Sequence, residues 1–402
     1  MDKLLILPAI AIGVWLTVSQ SASVWAQDRG NKDSQDNDNQ VRSTTFQTIE
    51  NQKRSLFVGS RSRFTTVQEI ERSMEGDRQL LLATPDGFNP GLRDRIPEPL
   101  SVQDFTAPSK LEPTVIDYAV LDNLKLNFQN STDSSGQHNQ IIEPTWQWRF
   151  QDGTVVSFQT GFNSFDLVGK QSVRNVPLQF GIVTKLGSIA LDARAGIDVY
   201  DRLPTTANFE VNTSMSVLPG MTLFGFLEQK PYKSSATSLN NQIKTRRFGP
   251  TIYWQLDPYT TLFSLYRWGN YNDGNNEQQS FSRIERKFGQ FSVAGNLFIW
   301  FYDREATGNT YFAPPDFLVY SGEVAWEGQV LDILKCRLAA NLGEQRGNDA
   351  FSPARSFQSL CTLKVSPSIE ADLGYTYSNI RKTETDATSV SEAISGQLRV
   401  KF

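Results

Sequence analysis

The chain reads as an all-β protein: a transmembrane up-and-down antiparallel β-barrel of about sixteen strands, preceded by a mostly irregular N-terminal segment. Three observations predict it. From Thr114 to Phe402, apolar and polar residues alternate with period two and with almost no helical competition. Tight turns and longer polar connections take turns along that stretch. Beyond residue 18 no run reaches the roughly eighteen consecutive apolar residues that a spanning helix needs.

The first element is an export leader over residues 1–26. Leu4 to Val18 is an apolar run behind Lys3, and Val24-Trp25-Ala26 offers a signal-peptidase site ahead of Gln27. An uncleaved anchor is the competing reading, and the run is short for a membrane span. Residues 27–113 follow as a periplasmic tail and linker. Residues 27–42 hold no large apolar residue except Val41, too little to offset their ordering entropy by burial. One short helix is expected next: Thr65 or Thr66 caps it, Gln68 or Glu69 completes a capping box, Val67, Ile70 and Met74 share a face, and Gly76 ends it. Pro85, Pro90, Pro97, Pro99, Pro108 and Pro113 then break any regular element.

Residues 114–402 form the barrel. Ile142, Pro144, Trp146 and Trp148 alternate with Glu143, Thr145, Gln147 and Arg149, and the same rhythm runs through 189–200 and 209–217. Tight turns are expected at QDGT (151–154), KLGS (185–188), LPGM (218–221), DPYT (257–260), FGQ (288–290), EGQ (327–329) and SPS (366–368). Between them lie longer loops such as STDSSGQ (131–137), YNDGNNEQQ (271–279) and 343–354. Seven turns with a longer loop between each, and one more at either end, make eight hairpins, hence about sixteen strands with both barrel ends on one side. In lipid an open sheet would leave edge amides without partners, so closure is required. A soluble sandwich or β-solenoid competes less well. Trp146, Trp148, Trp254, Tyr266, Trp268, Trp326, Tyr375 and Tyr377 all fall on the apolar face, as a pair of interfacial aromatic girdles would.

Composition narrows the function classes. A net charge of −4 argues against a nucleic-acid surface. A mean hydropathy of −0.38 excludes a helical membrane protein but not a barrel, whose strands hide half their residues inside. The single histidine, His138, leaves little for Ser/His catalysis or a His-ligated zinc site, and no glycine-rich phosphate loop sits in an α/β unit. No enzyme activity, metal or cofactor is expected, and an outer-membrane hydrolase is the minor alternative.

By alternation the lumen wall includes Asp192, Arg194, Glu210, Glu323, Glu327, Glu370 and Asp372 among charges of both signs. Phe298, Trp300 and Tyr302 should also point inward, either as a stacking track for sugar rings or packed against an inserted loop or tail. Cys336 and Cys361 flank the 343–354 loop on the lipid face; they are either a cross-strand disulfide or two small thiols.

The closing residues SGQLRVKF place Phe402, Val400 and Leu398 on one face. They resemble the C-terminal signature of bacterial outer-membrane barrels, which implies a Gram-negative outer-membrane location, contact with lipid and recognition by the assembly machinery. GNTYFAPPDFLVYSGEVAWEG (308–328), introduced by SRIERKFGQFSV (282–293), is similar to the C-terminal barrel of exopolysaccharide export porins, the poly-N-acetylglucosamine export porin and the outer-membrane cellulose secretion subunit. In that family a Tyr-Phe-x-Pro element opens a late strand; here it is Tyr311, Phe312, Ala313 and Pro314. The resemblance implies export of a secreted polysaccharide. Family members carry tetratricopeptide arrays before the barrel, and none is found between Gln27 and Pro113, so the periplasmic scaffold is either missing or a separate protein. The acidic residues Glu323, Glu327, Glu370 and Asp372 would favour a glycan with free amines. A general diffusion porin and a plugged, non-conducting surface or scaffold barrel are the alternatives.

Overall fold

The computed structural model describes residues 119–402 apart from 170–171, 307–310, 348–349 and 381–389. The expected leader (1–26), the tail (27–113) and its helix near 65–76 lie outside the described residues.

The strands are β1 (Val120–Asp133), β2 (Gln137–Arg149), β3 (Val155–Thr160), β4 (Phe162–Leu167), β5 (Val173–Leu186), β6 (Ile189–Tyr200), β7 (Thr206–Leu218) and β8 (Met221–Pro231). After one short helix, α1 (Ala236–Asn240), come β9 (Lys244–Asp257), β10 (Thr260–Tyr271), β11 (Asn276–Phe288), β12 (Phe291–Tyr302) and β13 (Phe317–Leu331). The last four are β14 (Leu334–Gly347), β15 (Ala350–Ser366), β16 (Ile369–Ser378) and β17 (Ser391–Lys401). β3 and β4 both pair with β2 and with β5, so they are two halves of one stave broken at Gly161. A side chain at Gly161 would place its Cβ 2.2 Å from the Ile142 carbonyl oxygen, so the close backbone approach at the break requires glycine. The sheet therefore has sixteen staves.

Every neighbour is antiparallel and the sheet closes on itself. β1 pairs with β17 from Asn123 opposite Lys401 to Asp133 opposite Ser391. Beyond that ladder the Phe402 N–H donates to the Asp122 carbonyl at 3.1 Å. Closure leaves no sheet edge, which is the condition for a sheet to stand in hydrocarbon, where each unpaired amide costs several kcal/mol.

Six of the seven tight turns lie where composition places them; Gly187 and Gly220 adopt φ of 65° and 73°, open to glycine at no steric cost. The seventh does not. EGQ (327–329) is strand, and the chain reverses at 332–333 between β13 and β14. Gly328 serves packing instead: a Cβ there would meet the Trp326 ring at 2.6 Å. The expected loop at 343–354 is also mostly strand, with Gly347 opposite Ala350.

Outward side chains are apolar and exposed, Phe180, Phe291 and Leu342 among them. Trp148, Trp254 and Trp326 sit toward the tight-turn end of their strands and Tyr266, Trp268 and Tyr377 toward the other, giving two belts. Cys336 lies directly opposite Cys361 on the outward face, and the two are joined by a disulfide with a Cα–Cα separation of 4.1 Å.

Candidate functional site

The lumen is the only face of such a barrel that can handle a hydrophilic solute, and its wall has three parts.

The first is a set of ion pairs. Glu323 is nearly fully buried and accepts from Arg283 (2.8 and 2.9 Å) and Arg337 (2.9 Å). Glu327 pairs with Lys335 at 2.6 Å. Arg399 holds both Glu370 (2.9 Å) and Asp372. Asp192 pairs with Arg194 at 2.7 Å, and Glu210, opposite Arg194 in register, accepts from Asn212 at 2.6 Å. The four acids expected to form a cationophilic face are therefore each matched by a basic partner, and the free-amine preference loses its basis. Glu323 with Glu327, and Glu370 with Asp372, also stand on different strands, separated by β14 and β15.

The second part is aromatic. Phe298, Trp300 and Tyr302 do point inward, and all are buried in one cluster with Tyr232, Phe263, Tyr271, Phe281, Tyr311, Phe317 and Val319. Trp300 meets Phe312 with ring centroids 5.8 Å apart, and Tyr302 meets Tyr311 at 5.9 Å. They are covered side chains rather than a bare track. The Tyr311–Pro314 element does not open a strand: it lies in the β12–β13 loop, with β13 starting at Phe317 and Tyr302 N–H donating to the Pro314 carbonyl.

At the centre of this cluster is Glu277, which sequence reasoning missed. Its carboxylate accepts from Arg247 (2.6 Å), the hydroxyls of Tyr271 and Tyr302 (both 2.9 Å) and Trp300 Nε1 (3.2 Å), with Arg267 3.4 Å away. Four donors and a second nearby guanidinium compensate a fully desolvated charge, which is the condition for burying it. The signal was weak because β11 carries Gln278, Ser280 and Ser282 on its outward side, so both faces read as polar.

The third part is an inward loop between β8 and β9. Tyr232, Ala236, Ser238 and Leu239 are buried. Ser235 caps α1 with a capping box, and Ala236 and Leu239 pack on Phe165 and Val173, which face inward from β4 and β5. Lys233 pairs with the buried Asp198 of β6 at 2.6 Å, and Ala236 N–H donates to Gln137 of β2 at 3.2 Å. On the other side Tyr232 meets Tyr271 edge-on at 5.5 Å, and Asn272 Nδ2 donates to the Gln242 carbonyl at 2.9 Å. The loop thus touches β2, β4, β5, β6 and β10 near the ends that carry the longer loops.

A closed sixteen-stave antiparallel barrel with an apolar belt outside and paired charges inside defines the class: an outer-membrane β-barrel. No family model and no curated protein matches the sequence. Among solved structures the chain is similar to a bacterial polysaccharide outer membrane secretin, at 12% identity over 70% of this chain and 98% of that one, with a TM-score of 0.59. It is more distantly similar to CdiB from Acinetobacter baumannii (10% identity, 69% of this chain and 60% of that one, TM-score 0.46). For OccD3 from Pseudomonas aeruginosa the values are 9%, 70%, 91% and 0.40. At 12% identity the likeness to the secretin shows the fold alone.

Proposed function

We propose that the protein is a channel of the bacterial outer membrane that passes a hydroxyl-rich polymer, a secreted polysaccharide, through its lumen. The observation that carries this reading is the inner wall from β14 round to β7, lined by amides, hydroxyls and ion pairs that are already matched. Such a wall offers hydrogen bonds without a strong net field, which suits a neutral or weakly charged polyhydroxylated chain better than a polycation. The fold shared with a polysaccharide secretin along 98% of that chain's length supports the same class of solute. Nothing in the proposal requires catalysis; conduction is passive.

Planar-bilayer recording tests it. Discrete conductance steps that are interrupted by added neutral oligosaccharides are expected. A general diffusion porin would instead show liposome swelling that falls smoothly with sugar size and no long blocks, and that result, or the absence of any conductance, would sink the polymer reading. The outward-alternating Leu398, Val400 and Phe402 are proposed as the strand that the assembly machinery reads, so Phe402→Ala should lower the assembled, heat-modifiable fraction severalfold.

A further inference from the structure

The outward face of the barrel has a gap that its own side chains leave open. One rung of the sheet runs through Leu262, Ile284, Gly295, Gly322 and Leu342, each residue opposite the next on the neighbouring stave. The two glycines stand side by side on β12 and β13. Between Ile284 and Leu342 the rung therefore has no side chain for three inter-strand steps, roughly 14 Å. The groove that results has a volume of about 480 Å³, with Leu297 and Tyr320 on its loop side.

Neither glycine is demanded by the backbone. A Cβ at Gly322 would meet nothing within 4 Å, one at Gly295 only the Ile284 side chain at an ordinary 3.8 Å, and neither residue has a positive φ. At Gly161, Gly249 and Gly343, in contrast, a Cβ would stand 1.9–2.2 Å from a carbonyl oxygen. Two other outward glycines are covered by a ring of the same wall: Phe128 lies over Gly396, 2.2 Å from where a Cβ would be, and Trp326 lies over Gly328. Both of those glycines are buried, whereas Gly295 and Gly322 are exposed. Aromatic cover is the usual rescue of a glycine in a sheet, and a strand glycine left bare marks a place where a ligand comes close.

We infer that this groove seats an acyl chain of a membrane lipid. Three observations select that occupant. The groove is continuous with the apolar belt that, in an outer-membrane barrel, is already the surface that meets lipid; Ile284, Val293, Leu297, Val324 and Leu342 around it are all exposed. Its depth is right: on β13 Gly322 lies between Trp326, of the tight-turn aromatic belt, and Tyr320, so the gap faces hydrocarbon and not head groups. The polar groups beside it are engaged already, since the Ser264 and Ser282 hydroxyls hydrogen-bond to each other at 3.0 Å and the Tyr320 hydroxyl donates to Glu344. The groove thus offers dispersion contacts alone, which suit a hydrocarbon chain and give a polar ligand nothing to replace its water. The inference is independent of what the lumen carries.

Photolabelling of the full chain tests it, in phosphatidylcholine vesicles whose lipid carries a diazirine in one acyl chain. Ile284 and Leu297 beside the groove are 51% and 37% exposed, and Ile182 and Ile197 on the outward face of β5 and β6 are 41% and 40% exposed. Chance contact with lipid would label the two pairs alike. Mass spectrometry is expected to find roughly threefold more adducts on the first pair, because a seated chain stays longer than a passing one. Gly322→Val, which the open space admits, fills the groove and should remove the excess while heat-modifiable migration stays that of the parent. Gly295→Ala, adding one methyl, should lower it in part. Equal labelling of the two pairs in the parent, or an excess that survives both substitutions, would overturn the proposal. So would a dimer on native electrophoresis that Gly322→Val dissociates, because the occupant would then be a second copy of the chain.

Discussion

The two halves of the inner wall solve the same problem differently. From β14 round to β7 the inward residues are mostly short and polar, and they satisfy one another sideways: Gln397 donates to Asn127, Gln179 to Asn208 at 3.3 Å, and Asn175 and Asn208 both to Asp198 at 2.7 and 2.9 Å. From β8 to β13 much of the wall is aromatic, and its polar groups gather on two buried carboxylates, Glu277 among the rings and Glu323 with Arg283. A lateral ladder of amides satisfies its own hydrogen bonds. A wall of rings is covered instead, by loops that fold over it. The lesson is that one barrel can satisfy its wall sideways through paired polar groups on one side and pack like a soluble core on the other.

The sharpest way to break this contrast is Glu277→Ala. It takes from Arg247, 1% exposed, its nearest anion and leaves it Glu228 at 3.8 Å, and losing one member of a buried pair costs about 3–5 kcal/mol. Urea unfolding in micelles, followed by tryptophan fluorescence, should show that drop; a loss below about 1 kcal/mol would mean the cluster is hydrated. Next, replacing Cys336 and Cys361 together by serine should cost about 3.5 kcal/mol, the loop-closure term for a separation of 25 residues. Thermal unfolding with and without reductant measures it, and no difference would indicate that the unfolded chain is already restrained. Lys233→Ala removes a charged donor from buried Asp198 and should cost about 1.5–3 kcal/mol. Faster amide exchange confined to 233–241 would show α1 lifting from its seat on Phe165 and Val173; unchanged exchange would mean the apolar seat alone holds it. The smallest effect belongs to the partly solvated wall: Glu327 and Lys335 are 30% and 40% exposed, so Glu327→Gln should change stability by under about 1 kcal/mol. A larger loss by the same urea assay would mean the pair is drier than its exposure suggests.

Much of this was legible beforehand. The parity of staves, six of the seven turns, the lipid-facing girdles and the inward direction of Phe298, Trp300 and Tyr302 follow from alternation. The EGQ turn misled because Gly328 is needed to admit the Trp326 ring, and Glu327 is drawn onward inside the wall by Lys335. The 343–354 stretch is polar enough to read as a loop, yet its residues continue the β14–β15 ladder to Gly347 opposite Ala350. Tyr311-Phe312 looked like the opening of a strand and is instead the lid on Trp300.

By itself the sequence determined which side of the sheet each residue occupies and how many times the chain crosses, because the pleat has a period of two whatever lies opposite. Only the tertiary structure decided which residues meet across the lumen: that Glu277 gathers Arg247, Tyr271 and Tyr302, that the four acids are each answered by a base, and that the β8–β9 loop turns inward. Contacts between staves far apart in the chain leave no periodic trace, since they arise from closure of the cylinder and the burial that closure imposes.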